Sequence, residues 1–281
     1  LFPVIAAGGT AGALAGPAIA GAVSLLLDAV SLLLGSAALL GVTLLCINRL
    51  AACTVRLDPS HSEAPVDAPA VGGGALAGLR LLMRSRYLLG ICLLILYYTT
   101  LSTFLYFQQA QIIRDSFADP AQRTTVFAAM DFATNALTLV IQIFFTGRIV
   151  QALGLGWSLA LVPLLLGAGF FILGMAPVLA VLVTLQVVRR AGNYAIMKPG
   201  REMLFVVLGR EEKYKAKNII DTVIYRSGDV VSAWAYTGLQ ALGLGLAAIA
   251  MLAVPLAGLW AWICFRLGRR QQALAKQLEV P

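Results

Sequence analysis

Eight stretches of this chain run for about 20 residues with little or no charge, the length a helix needs to cross a hydrocarbon core. They fall near 2–26, 29–50, 88–112, 124–147, 156–175, 177–198, 218–240 and 243–265. Inside lipid every backbone polar group must be satisfied within the protein, and continuous apolar runs of this length meet that demand as helices. Composition agrees, since 60% of residues are hydrophobic and 12% are charged, against roughly 45–50% and 25% in soluble domains. The expected fold is all-α, a polytopic membrane helix bundle.

A net charge of +8 invites nucleic acid as a partner, but the placement of the charges argues against it. Most Lys and Arg residues occupy short segments between apolar runs, as topology signals do beside an anionic leaflet. If residues 51–87 are cytoplasmic, that side also collects Arg49, Arg148, the cluster from Lys198 to Lys217, and Arg266, Arg269, Arg270 and Lys276. The opposite side has only Arg114 and Arg123, while Arg189, Arg190 and Arg226 lie within spans. The linker and the C-terminus are therefore expected in the cytoplasm. The Ala, Leu and Gly content points to a bacterial inner membrane.

The four cysteines (Cys46, Cys53, Cys92, Cys264) are scattered through apolar runs without metal-ligand spacing, and the single histidine, His61, sits in a polar linker. No metal or cofactor is expected. No nucleotide-binding P-loop, zinc-protease or serine-hydrolase signature occurs, so neither an enzyme nor an ATP-driven pump is expected of this chain. No cleavable signal peptide is visible, and Leu1 already lies in an apolar segment, so further N-terminal helices of the same protein are expected before it.

Residues 54–74 hold three prolines and a glycine triplet and read as a disordered linker. Leu76 to Arg86 then alternates Leu79, Leu82 and Met83 with Arg80, Arg84 and Arg86, as a basic helix lying on the membrane surface does. Two spans, a cytoplasmic linker and six more spans fit the major facilitator plan of two six-helix bundles. On that plan residues 1–53 are the last two helices of the first bundle, 54–87 the linker and amphipathic helix, 88–267 the second bundle and 268–281 a cytoplasmic tail. Eight spans of an expected twelve are then present.

Polar residues inside apolar runs mark candidate sites, because a charge at bilayer depth costs several kcal/mol unless it faces protein, water or a counter-ion. In the first span Gly8, Gly12 and Gly16 are four apart and followed by Pro17, a pattern for close helix packing or for substrate contact. Asp131, Asn135, Thr138 and Gln142 share one face of the fourth span, lining a cavity or bonding another helix. The third span has Tyr97, Gln108 and Gln111 near one side. Gln186, Arg190 and Asn193 share a face of the sixth, with Arg189 beside it; the arginines form an anion-binding element or pair with Asp221 or Asp229. In the seventh, Thr222, Arg226, Asp229, Tyr236 and Gln240 make a stripe with Asp221 and Tyr225 on its shoulder. Arg226 and Asp229, at i and i+3, read as a conformational latch or as a self-neutralising pair. The basic loop over 201–217 anchors topology.

The run Arg189-x-Ala191-x-Asn193-Tyr194, Pro199-x-Arg201-Glu202-Met203, Glu212-Lys213-x-Lys215-x-Lys217 and Ile220-Asp221-x-Val223-x-x-Arg226-x-Gly228 resembles the ATP/ADP and NTP/NDP translocase family, facilitator-fold exchangers of plastids and intracellular bacteria. Phe2-x-x-Ile5-Ala6-Ala7-Gly8-Gly9 and Asp131-Phe132 extend the likeness. Asn193 and Asp229 stand where the family carries Lys, and residues around Tyr106 to Gln111 lack the family's charges. The resemblance implies a secondary active transporter that exchanges nucleotides or related organic anions by alternating access, with basic residues on the phosphates. The candidate substrate-binding residues are Arg189 and Arg190 as anion binders, Gln108, Asp131, Asn135, Asn193 and Tyr194 around the cavity, Arg226 with Asp229 as a charge latch near Asp221, and Lys198 with Arg201 at the cytoplasmic mouth. Expected partners are a small anionic solute, with a nucleotide as the candidate, and the lipid bilayer. A facilitator for another solute (a drug, siderophore or organic anion) and a non-transporting membrane sensor or scaffold are the alternatives.

Overall fold

Helices account for nearly all of the computed structural model, which describes residues 2–23, 29–57 and 81–278. Most of the expected linker, including His61, lies outside the described residues, as does most of the expected surface helix over 76–86. Of the latter, 81–84 form one helical turn with Leu82 buried and Met83 exposed.

The helices are α1 (Phe2–Val23), α2 (Ala29–Leu57), α3 (Arg86–Ser116), α4 (Pro120–Val140), α5 (Thr146–Met175), α6 (Leu179–Gly192), α7 (Lys198–Leu204), α8 (Arg210–Ile219), α9 (Tyr225–Ala241) and α10 (Leu246–Leu278). Three wider π turns, Ile141–Phe145, Asn193–Met197 and Ile220–Ile224, join α4 to α5, α6 to α7 and α8 to α9. Several ends move outward from the sequence expectation. α2 continues to Leu57, past the start of the expected linker, and α10 runs unbroken through residues 268–278, expected as a tail. Among the described residues, three stretches, Arg86–Ser116, Pro120–Met175 and Leu246–Gln277, are long and apolar enough to cross a membrane.

Local chemistry sets the turns between these rods. Ser85 caps α3, its hydroxyl accepting from the Leu88 amide at 3.4 Å. Asp119 caps α4 by accepting from the Ala121 amide at 3.0 Å, and Pro120 fills a first-turn position where its missing N–H costs nothing. Arg123 locks the α3–α4 connection, donating from Nε to the Phe117 carbonyl at 2.8 Å. Gly154, at φ 72° and ψ 166°, breaks the long rod begun at Pro120; that backbone conformation is open to glycine and reverses the chain so that residues 155–175 run back.

The core lies where α3, α5 and α10 meet, around the fully buried Trp260, Phe170, Leu88 and Leu105. α5 and α10 approach most closely where Gly156 faces Gly268, so that a Cβ on Gly268 would collide with the backbone of Gly156. Small residues at such crossings let helix backbones touch, which replaces the hydrophobic driving force that lipid does not supply. Trp157 and Phe265, with ring centroids 4.7 Å apart, pack beside the crossing. Large apolar side chains such as Leu164, Phe171, Val231 and Trp234 face outward, as lipid-facing residues do. α1 rests on α4, and the Asn135 amide donates to the carbonyl of Ala13.

Gly268→Val overpacks the α5–α10 crossing and is expected to cost about 1–3 kcal/mol. Gly258→Ala, whose added methyl meets open space, is expected to be neutral or slightly stabilising. Thermal unfolding of the detergent-solubilised full-length protein checks both; equal melting temperatures for the two variants contradict the crossing.

Candidate functional site

A break in the sixth expected span has a cause that can be read from its residues. Pro199 has no N–H and its ring crowds the carbonyl four residues earlier, that of Ala195, so the ladder cannot continue as regular α-helix. The chain widens into the Asn193–Met197 π turn, closed by the Lys198 amide on the Asn193 carbonyl. The freed carbonyls are taken up by a neighbouring helix: Thr146 Oγ1 donates to Ala195 at 2.9 Å, and Gln142 Nε2 to Tyr194 at 3.3 Å. Across the bundle, the Thr222 hydroxyl takes the Asn218 carbonyl at 2.6 Å, in competition with the backbone, and here the Ile220–Ile224 π turn forms.

Between these two π turns and α3 lies a cavity of about 310 Å³. Lys198, Arg201 and Arg226 face it, with Asp221 as the sole carboxylate among the lining residues, together with Asn193 and Tyr194. π turns commonly accompany functional sites because they rotate side chains out of helical register. Tyr98, Tyr225, Leu94, Ile95 and Met197 complete the walls. Tyr98 stands 6.2 Å from Tyr225 and 6.0 Å from Trp260 between ring centroids, and Lys198 Nζ lies 5.4 Å from the Tyr194 ring. Leu94 is eight residues into α3 from Arg86, so the cavity begins roughly 12 Å along the helix from that arginine.

The cations there are only partly neutralised. Arg201 Nη1 lies 3.3 Å from Asp221 Oδ1, while its Nε is buried without a partner. Among the described residues Arg226 makes no close ion pair, and it acts on Asp229, one turn away, only at longer range. Its side chain reaches the cavity instead, since α9 crosses α3 tightly at Gly228 against Thr99 and fixes the preceding turn. Behind the cavity the helices are pinned together. Lys217 Nζ donates to both oxygens of Glu202 at 2.8 and 2.7 Å, and the Tyr87 hydroxyl donates to the Leu204 carbonyl at 2.7 Å.

Other predicted site residues go elsewhere. Arg190 pairs with Asp131 of α4, and neither lines the cationic cavity. Asn135 bonds α1, so Asp131, Asn135 and Gln142 all bond other helices, the second of the two readings of that polar stripe. Gln108 is buried and donates to the Leu246 carbonyl at 3.2 Å, away from the cavity. Arg189 does not pair with Asp221 or Asp229. It donates from Nε to Gln186 Oε1 at 2.8 Å and from Nη1 to Ser102 Oγ at 2.7 Å, and Gln186 in turn bonds Gln109. Its stem borders a separate, almost wholly apolar cavity of about 300 Å³ between α4, α5 and α6.

Three polar contributors escaped the sequence reading: Tyr98, Ser102 and Gln109. At i, i+4 and i+11 they occupy one face of α3, and that spacing was the available signal. Tyr97 and Gln108, the neighbours one position before Tyr98 and Gln109, drew the attention instead.

Helices of membrane-spanning length and apolarity around a cation-rich cavity define this chain as a membrane helix bundle. Its sequence places it further: residues 26–270 match the family model described as TLC ATP/ADP transporter, and the chain belongs to that family. It is 30% identical over 226 residues to ADP,ATP carrier protein 2 of Chlamydia trachomatis, covering 70% of this chain and 41% of that protein. It is 23% identical over 167 residues to ADP,ATP carrier protein 1 of Chlamydia muridarum, covering 52% of this chain and 32% of that protein. The chain thus spans less than half the length of these relatives. No solved structure gives a significant match.

Asp131→Asn removes the counter-ion of Arg190 at membrane depth. Both side chains are open by about a third or more, at 31% and 43%, so the loss is expected near 1–2 kcal/mol rather than the 3–5 of a sealed pair. The exchanged pair, Asp131→Arg with Arg190→Asp, is expected to recover part of it. Unfolding in detergent measures both, and a charge-swapped protein less stable than Asp131→Asn contradicts the pairing.

Proposed function

We propose that this chain is part of a secondary active transporter that exchanges nucleotides of the ATP/ADP type. Its last six expected spans make one bundle of a major facilitator fold, with α1 and α2 closing the other. The observation that carries this reading is the cavity between the π turns, where Lys198, Arg201 and Arg226 face one space and Asp221 is the sole carboxylate on its walls. Phosphate oxygens take bidentate bonds from guanidinium groups, and the buried, unpartnered Nε of Arg201 is a donor of that kind already in place. Tyr98, Tyr194 and Tyr225 supply ring surface for a base or ribose. Membership of the TLC ATP/ADP transporter family and the similarity to the two chlamydial ADP,ATP carrier proteins support the same substrate class.

In this reading Asp221 is the resting counter-ion of Arg201. An arriving phosphate takes Arg201 from Asp221, and departure of the nucleotide restores the ion pair, so Arg201 is never left without a counter-ion. Alternating access proceeds by rocking this bundle against the first, with the site near the midplane. The interhelical bonds of Asp131 and Gln142 tie α4 to α6 and the turn after it so that they move together. The protein lies in a bacterial inner membrane with the linker and C-terminus in the cytoplasm, and it acts without a cofactor.

Exchange of labelled ATP for ADP by the full-length protein in liposomes tests the proposal. Arg226→Ala, which removes a charge-assisted contact worth about 1.5–3 kcal/mol, is expected to weaken nucleotide affinity by roughly 10- to 150-fold. Asp221→Asn is expected to tighten binding and slow turnover, because the competing carboxylate is gone. Wild-type exchange by Arg226→Ala, or the absence of any nucleotide exchange by the native protein, sinks it.

A further inference from the structure

Outside the cationic cavity, the arginines within the bundle are already satisfied, Arg189 by Ser102 and Gln186 and Arg190 by Asp131. Four other arginines are not. Arg86 at the start of α3 and Arg266, Arg269 and Arg270 on α10 border one outward-facing groove of about 700 Å³. None of the four has a carboxylate or a hydrogen-bond acceptor as partner among the described residues. Arg266 lies over the Trp262 ring at 4.5 Å, and Arg269 lies 5.7 Å from the Phe265 ring. Ring faces orient a guanidinium without neutralising it.

This crowding is not explained by helix capping. α10 continues to Leu278, so the three arginines lie well before its last turn and gain little from the helix dipole. Arg266 sits at i−3 and i−4 from Arg269 and Arg270, spacings at which like charges repel. Gly90 of α3 packs closely against Leu267 of α10, which holds Arg86 beside the α10 arginines. A bound anion removes the repulsion.

The rest of the groove says which anion. Its walls continue into the apolar zone through Gly90, Leu93, Ile263 and Leu267, and Leu93 and Trp262 remain 45% and 54% exposed on the outer surface. Leu93 is seven residues, roughly 10 Å of helix, from Arg86 toward the bilayer interior. A site with cations at one end and an open apolar wall at the other matches a phosphate headgroup with its acyl chain. Charge distribution places this end at the cytoplasmic leaflet, where anionic lipids are found. We propose that the α3–α10 groove is a binding site for an anionic phospholipid, its phosphate held by Arg86, Arg266 and Arg270 and its chain lying on Leu93 and Trp262.

The full-length protein in neutral detergent is titrated with phosphatidylglycerol, cardiolipin, phosphatidylcholine and inorganic phosphate, following retained lipid by native mass spectrometry and melting temperature in parallel. Phosphatidylglycerol and cardiolipin are expected to be retained and to raise the melting temperature, and phosphatidylcholine and phosphate to do neither. Arg266→Gln combined with Arg270→Gln is expected to weaken retention tenfold or more. Leu93→Trp fills the apolar wall without touching a charge, and it is expected to lower retention as well, which keeps the test decisive if the double variant does not fold. Wild-type retention by Leu93→Trp, or by a folded double arginine variant, overturns the proposal. So does stabilisation by phosphate alone equal to that by phosphatidylglycerol, which assigns the groove to a free anion.

Discussion

A guanidinium group inside a helix bundle has to find oxygen atoms, because hydrocarbon offers none and the charge cannot be shed. Arg189 and Arg190 show how much of the architecture follows from that demand. Arg189 draws on Ser102 of α3 and Gln186 of its own helix, and Gln186 passes the chain of hydrogen bonds to Gln109. Arg190 holds Asp131 of α4. Two adjacent arginines thereby tie α6 to α3 on one side and to α4 on the other. The same rule governs the backbone: where Pro199 disrupts the ladder, Thr146 and Gln142 from the neighbouring helix meet the carbonyls that are released.

Against that background the unspent cations acquire meaning. A bundle that satisfies Arg189, Arg190 and even Lys217 of the short α8 leaves Arg226 without a close ion pair and Arg201 half-paired beside the same cavity. Two π turns flank this space, and each interrupts the α-helical register where a site residue must turn inward. The local cost of the wider turns is offset by side-chain hydrogen bonds that a regular helix in lipid would not need. Rigid anchoring behind the cavity, through Tyr87 on the Leu204 carbonyl and Lys217 on Glu202, lets the flanking turns hold their shape.

Reading the sequence for polar residues in apolar runs found most of the cavity lining. Asn193, Tyr194, Lys198, Arg201, Asp221 and Arg226 all face it. The same criterion gave Arg189, Arg190, Asp131, Asn135 and Gln108 equal standing, and these went into contacts between helices. A polar group costs the same to bury whether it is destined for a ligand or for another helix, so composition and periodicity do not separate the two. Tyr98 was missed for a related reason: Tyr97 and Tyr98 are neighbours some 100° apart on α3, and the packing of α3 against α9 and α10 chooses which one faces inward.

Hydrophobic run length, the bias of basic residues to one side and the absence of catalytic signatures follow from local chemistry alone. They determined that this chain is a membrane helix bundle and where charge enters its apolar runs. Family membership also rests on the sequence, through the matched stretch from 26 to 270. Only the tertiary structure decided which charges pair. Arg226 and Asp229 are spaced for a close ion pair yet make none, because the tight crossing at Gly228 and the π turn before it direct Arg226 into the cavity. Arg86 and Arg266 are separated by most of the chain, and the contact of α3 with α10 brings them to one groove. Partner choice of this kind depends on the rotation and depth of each helix against its neighbours, quantities that no single segment encodes.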